Sequence, residues 1–243
     1  MTATTTARPD RRFRVAARKR RWRGRWPLLA LLLTAALVAG AVYVLYGTNM
    51  VAVRTVRVVG AKQVPASAVT QAAQVPIGTP LVRVDRGAVR RRVLRALPEV
   101  ASVAVQWSWP SVLRVVIVER VPIAAVPQGG HYLLVDRTGL PFRTVAALPR
   151  GLVVVDVASP GPADPATRAA LTVVAGLPAD LRAMVFAVVA PTGEQVTVSL
   201  RGHRAVLWGD AADTPAKVAV VRVLLRRPGR LIDVSSPALV TVK

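Results

Sequence analysis

The stretch Val103-Ala104-Val105-Gln106-Trp107, Ser108-Trp109-Pro110-Ser111, Val112-Leu113-Arg114-Val115-Val116-Ile117-Val118-Glu119 holds two β-branched runs on either side of a proline-containing turn. Runs of this kind are strands, and the interruption reads as a hairpin. Immediately upstream, Val89, Val93, Leu94 and Leu97 recur at helical spacing. Asp85 is a candidate N-cap, Arg90, Arg91, Arg92 and Arg95 fill the remaining face, and Pro98 stops the helix. Further back, residues 53–59 form a β-branched run that ends at Gly60. A short helix opens at Pro65, runs to Gln74 and is broken by Gly78 and Pro80. The order β-α-α-β-β predicts a small sheet with helices on one face, over residues 51–121.

Downstream, Pro122 and Pro127-Gln128-Gly129-Gly130 mark the boundary of a second unit, residues 122–243. Its strand candidates are 131–135, 152–157, 184–190, 194–200 and 204–208, with 231–234 and 238–242 closing. Asp136-Arg137-Thr138-Gly139, Pro160-Gly161-Pro162 and Pro191-Thr192-Gly193 supply turns between them. Two helices are expected, over 165–175 and 214–227, each with a proline at its start. The fold class is a single transmembrane helix followed by α+β, the second unit being a mixed, mainly antiparallel β domain with two helices.

The membrane helix is read from residues 28–46, 19 positions without a charge, ten of them Leu or Val. At about 1.5 Å per residue this nearly matches a hydrocarbon core of about 30 Å. Trp22 and Trp26 at one end, and Tyr43 and Tyr46 at the other, are the candidate membrane-interface residues. A cleaved signal peptide has a shorter apolar run followed by small residues. Here the run ends in Val42-Tyr43-Val44-Leu45-Tyr46, so an uncleaved anchor over residues 27–47 is expected. Residues 1–26 carry ten of the 34 Lys and Arg against one acid, Asp10. The positive-inside rule places this tail in the cytoplasm, against anionic lipid headgroups. Its aromatics are too few for a nucleic-acid platform, and no nucleic acid is expected.

The net charge is +22, and residues 48–243 keep +13 of it. With no Cys in the chain, disulfides and thiolate metal sites are excluded. His131 and His203 each sit at the start of a predicted strand, far from any carboxylate cluster. Asp85, Asp136 and Asp210 lie at turns or helix starts, Asp213 reads as a cap before Thr214-Pro215, and Glu119-Arg120 reads as a local ion pair. No phosphate-cradling loop, catalytic constellation, cofactor site or metal site is expected, which favours a binding or scaffold role over an enzyme.

Four stretches, in order, resemble the bacterial FtsQ/DivIB cell-division family. Val56-Arg57-Val58-Val59-Gly60, with Val64-Pro65 and Gly78-Thr79-Pro80-Leu81, resembles the entry into that family's POTRA domain. Leu97-Pro98-Glu99-Val100, with Trp109-Pro110, Leu113 and Val118-Glu119-Arg120-Val121-Pro122, resembles its second helix and hairpin. Leu134-Val135-Asp136-Arg137-Thr138-Gly139 with Pro141-Phe142 is similar to the opening of its β domain. Gly209, Lys217 and Ile232-Asp233-Val234-Ser235 are similar to its last helix and closing strands. Gln106 and Trp107 depart from the pattern, standing where many relatives carry basic residues.

The resemblance implies a non-enzymatic scaffold of the division complex in the bacterial cell membrane. It would bind FtsB- and FtsL-like proteins outside the cytoplasm, with other members of the complex as partners of the POTRA domain, and support septum formation. The candidate partner-binding residues are Trp208, Lys217, Val234, Ser235, Leu239, Val240 and Val242, on a last strand with an open edge and on the elements beside it. The alternatives are a POTRA module of a secretion or assembly system and a binding module for an anionic wall polymer, the latter motivated by the outer charge.

Overall fold

Helix α1 (Trp26–Gly47) forms on the uncharged run, and every side chain described along it, Trp26 to Val44, is exposed. The computed structural model describes residues 26–47, 51–236 and 241–242. Among these, α1 is the one helix long and apolar enough to cross a membrane, with a mean hydropathy of 2.2 over Trp26–Val44. Trp26 and Tyr43 lie at opposite ends of that span. Trp22 falls outside the described residues, as does the side chain of Tyr46.

The first sheet has the order β1-β3-β2, built from β1 (Thr55–Val59), β2 (Val100–Ser108) and β3 (Val112–Glu119). β3 pairs parallel with β1 and antiparallel with β2. Helices α2 (Ala66–Ala73) and α3 (Arg86–Ala96) cover one face, where Val69, Val89 and Val93 meet Leu113, Val115 and Ile117. Asp85 caps α3 as its position suggests, accepting from the Ala88 N–H at 3.0 Å. Gly60, at φ +91°, has no alternative, because a Cβ there would overlap the Ile117 carbonyl oxygen.

The second sheet runs β12-β11-β10-β9-β8-β7-β4-β5-β6. Its strands are β4 (Pro122–Gln128), β5 (His131–Asp136), β6 (Pro141–Val145), β7 (Val153–Asp156), β8 (Val185–Val189), β9 (Val196–Leu200), β10 (Arg204–Gly209), β11 (Leu231–Asp233) and β12 (Thr241–Val242). Helices α4 (Pro165–Gly176) and α6 (Thr214–Leu224) pack on one face, burying Leu171, Val174, Val218 and Val221 against Val155, Val188, Val206 and Ile232. The short helix α5 (Ala179–Met184) links α4 to β8.

Three elements differ from expectation. Residues 122–128 form a strand deep in the sheet, although Pro122 and Pro127 read as breakers. β7 pairs only with Ala124 and Ala125, so neither proline faces a β7 ladder bond. β6 was hidden by its opening Pro141, which an edge strand tolerates. α5 is too short to show a period. His203 lies in a turn at φ +60°, before β10.

The junction of the two sheets corrects another expectation. Glu119 and Arg120 do not pair with each other. The Glu119 carboxylate accepts the backbone N–H groups of Lys62 (2.7 Å), Gln63 (2.9 Å) and Val64 (2.8 Å). Arg120 donates to the Pro98 carbonyl at 2.8 Å and to the Asp136 carboxylate in the second sheet. Asp136 in turn accepts from the Thr138 N–H (2.8 Å) and the Leu140 N–H (3.1 Å), closing its turn. Arg143 adds a hydrogen bond to Gln63 and lies 3.8 Å from Glu99.

The backbone N–H groups of Val64 and Lys62 hold the Glu119 carboxyl below its usual range. Burial alone would raise Asp136, but hydrogen bonds from Thr138 and Arg120 outweigh it and leave this carboxyl lowered as well. Both groups therefore stabilise the fold above the unfolded carboxylate range of about 4, and the contribution is lost as pH falls through their lower folded values. Glu119→Ala is expected to cost about 2 kcal/mol, a drop of about 4–8 °C in melting temperature for a protein of this size. Glu119→Gln should also flatten the acid limb of the pH–stability curve. Thermal unfolding in detergent micelles at neutral and acidic pH checks both.

Candidate partner-binding edge

The C-terminal end of the second sheet is assembled from α6 and strands β10 to β12. β11 lies parallel to β10, with Val206 opposite Ile232, and β12 returns antiparallel, with Ile232 opposite Val242. β12 is the last strand in the order. Among the described residues, nothing pairs along its outer side.

Trp208 and Lys217 are not surface groups, which corrects the expectation that they make side contacts to a partner. Trp208 is 1% exposed and sits in the core, its indole N–H 3.4 Å from Thr214 Oγ1. Lys217 is 2% exposed. Its Nζ donates to the carbonyls of Trp208 (3.0 Å) and Asp210 (3.1 Å) and to Asp210 Oδ1 (2.7 Å). Lys217 shares a helical stripe with Thr214, Val218, Val221 and Leu224, all buried. A lysine on that stripe has to carry its charge into the core, and three oxygens meet it there. The ammonium thus ties α6 to the end of β10 and to the turn that follows. Its hydrogen bond also holds the Asp210 carboxyl below the usual range, against a smaller opposing effect of burial.

Val234 is buried, and its N–H donates to the Leu207 carbonyl at 3.0 Å, extending the β10–β11 pairing by one step. Ser235 is exposed, with its N–H and hydroxyl both on Asp233 Oδ1. Gly209, at φ +75°, lets the two strands close, since a Cβ there would come 2.9 Å from the Ser235 Cβ. Leu239 and Val240 fall outside the described residues, and of Val242 only the backbone in β12 is described. Asp213 stands at the N-cap of α6 in a left-handed conformation, φ +49°, and its side chain makes no capping bond.

Sequence reasoning missed Asp210 as the partner of Lys217 and read it as a turn former. The available signal was the phase of Lys217 on the apolar stripe of α6, which demands a buried acceptor nearby. The arrangement's charged groups, Lys217 and Asp210, are bonded to each other and, through Lys217, to backbone carbonyls. What it presents is a backbone edge held on a polar-anchored core.

A family model described as POTRA domain, FtsQ-type, matches residues 51–120. The chain is 42% identical over 223 residues to the cell division protein FtsQ of Mycolicibacterium smegmatis, covering 91% of this chain and 66% of that protein. It is 40% identical over 216 residues to FtsQ of Mycobacteroides abscessus, covering 89% of this chain and 69% of that protein. It is 33% identical over 234 residues to FtsQ of Streptomyces collinus, covering 89% of each. The chain thus spans just under two thirds of the length of the M. smegmatis protein.

Lys217→Met is expected to leave the Trp208 and Asp210 carbonyls without their donor, at a cost of about 2 kcal/mol. Asp210→Asn retains an acceptor and should cost less than half as much. The loss of melting temperature in Asp210→Asn, taken as a fraction of the loss in Lys217→Met, measures how much of the anchor is the charge on Asp210.

Proposed function

The chain belongs to the FtsQ family of cell-division proteins, and from that premise we propose that it is a non-enzymatic scaffold of the bacterial division complex. In this reading residues 1–26 lie in the cytoplasm and residues 27–47 cross the membrane. Residues 51–121 and 122–243 form two extracytoplasmic domains that act at the septum. The partners are FtsB- and FtsL-like proteins.

The observation that carries the reading is the terminal place of β12 in the nine-stranded sheet. An unpaired strand edge offers a row of backbone donors and acceptors on which an extended partner segment adds as a tenth strand. A strand alone is a small interface, whereas stable recognition buries about 1,200 Å² or more. The exposed face of α6, with Ala219 and Val223, lies on the same end of the domain and enlarges the contact. Ser235 contributes at the rim, and Leu239, Val240 and Val242 remain the candidate contacts of the closing segment. Trp208, Lys217 and Val234 act from beneath, by keeping the edge in place.

Proline substitution gives a sharp test. In an antiparallel pair, neighbouring residues turn their N–H and C=O to opposite sides. Of Thr241 and Val242, therefore, one faces β11 and the other faces outward. Proline at the outward position removes a donor from the partner's ladder without breaking the fold. It should weaken binding to the extracytoplasmic segments of FtsB- and FtsL-type proteins by roughly tenfold or more, while circular dichroism stays unchanged. Binding unchanged by proline at both positions would move the interface off this edge. A binding loss caused instead by neutralising exposed arginines would favour the anionic-polymer alternative.

A further inference from the structure

The chain joins the first domain almost as soon as it leaves α1. Three residues separate Gly47 from Val51, and Val51, Ala52 and Val53 are all buried. Four residue steps span at most about 14 Å, so the entry to this domain is tethered close to the end of α1. α1 also lies against the turn Leu81–Arg83 of the same domain. A domain on a long flexible linker would be free to tumble, but this one is held with one end toward the bilayer.

Two loops bracket the entry point. On one side, the Val53 N–H donates to the Thr79 carbonyl and the Gly78 N–H donates to the Val53 carbonyl, both at 2.8 Å. That loop carries Ile77, 68% exposed. On the other side, the Arg54 N–H donates to the Ser111 carbonyl at 2.8 Å. β1 and β3 are parallel, with Thr55 opposite Val112, which puts the β2–β3 turn at the entry end. That turn carries Trp109, 51% exposed. Two large apolar side chains therefore project from two separate loops, both hydrogen-bonded to consecutive residues 53 and 54.

The charge at this end is predominantly positive, with Asp85 as its one carboxylate among the described residues. No carboxylate occurs in the sequence between Asp10 and Asp85, or between Glu99 and Glu119. Glu99 and Glu119 belong to the far end of the sheet, where Val100 pairs with Glu119. Asp85 is engaged in capping α3. Arg54 and Arg114 are exposed near the entry, on β1's approach and on the early part of β3. Exposed tryptophan flanked by arginine is the composition that settles at a membrane–water interface.

We propose that the Ile77 and Trp109 loop tips form a foot that docks this domain on the outer-leaflet headgroups of the membrane crossed by α1, with Arg54 and Arg114 on lipid phosphates. The inference rests on α1 spanning the bilayer. The docked foot fixes the height and tilt of the first domain, and through it those of the rest of the extracytoplasmic part. Lipid rather than protein is the occupant because the tether brings the foot to the bilayer and the surface, where arginines outnumber the single carboxylate of Asp85, complements anionic lipid.

The chain has no cysteine, so single introduced cysteines label cleanly. Ile77→Cys, Trp109→Cys, Leu33→Cys and Phe186→Cys, each carrying an environment-sensitive fluorophore, are placed in the full chain in phosphatidylglycerol-rich vesicles with doxyl-labelled lipid as quencher. Leu33 reports the span, and Phe186, exposed on β8 of the second sheet, reports solvent. The expected result is quenching and a blue shift at 33, 77 and 109, with neither at 186. Arg54→Gln and Arg114→Gln should each reduce the docked-to-undocked ratio by about fivefold. Quenching at 33 with 77 and 109 as solvent-exposed as 186 would overturn the proposal and leave the span intact. An unquenched 33 would overturn both. A blue shift at 77 and 109 without lipid quenching would overturn the proposal in favour of a protein partner or a second copy. Labels on two separate loops guard against local misfolding at either.

Discussion

Two adjacent residues, Glu119 and Arg120, set the geometry on which the rest depends. One closes the first domain by gathering three consecutive backbone N–H groups on its carboxylate. The next reaches out of that domain to the Asp136 turn of the second sheet while holding the Pro98 carbonyl of the first. Charge-assisted bonds of this kind are stronger than neutral ones and directional. With only Val121 between Arg120 and β4, the two sheets meet with little room to swivel. The position of the far edge is therefore tied, through this junction and through the buried entry segment Val51 to Val53, to the end of the membrane helix.

The second sheet carries that constraint outward. It is nine strands wide, and its mixture of parallel and antiparallel pairs places the C-terminal strand at one extreme instead of folding it back into the middle. An exposed edge is an aggregation liability unless it has a purpose or a cover. Here the structure invests in holding it, through a buried lysine on three oxygens, a glycine that admits a close strand approach, and a tryptophan filling the core beneath. On the proposed reading, a scaffold that offers backbone for pairing needs a stiff, well-placed edge more than it needs reactive side chains.

Much of the architecture could be read from sequence because its signals are local. The hairpin at 103–119, the Asp85 cap, the stripe on α3 and the proline starts of α4 and α6 all depend on residues within a turn or two of each other. β4 and β6 escaped because proline is a breaker by local rule, and only the pairing pattern shows where its missing N–H does no harm. Glu119 escaped for the same reason, since its partners lie more than fifty residues away and leave no mark near it. Lysine is by default a surface residue, so reading Lys217 as a side contact followed the rule that burial overturned. Asp213 shows the limit of position as a guide, for it occupies a cap position without performing the capping.

The central claim is that a partner adds to the β12 edge, and amide hydrogen exchange of the full chain in lipid nanodiscs, with and without the extracytoplasmic segments of FtsB- and FtsL-type proteins, tests it most directly. The account predicts that partner binding slows exchange at the outward-facing amide of Thr241 or Val242 and at neighbouring positions. It also predicts no change along β6, the opposite edge of the same sheet. Slowing confined to β6 or to the first domain, or a bound partner that leaves exchange across residues 231–242 unchanged, would contradict it.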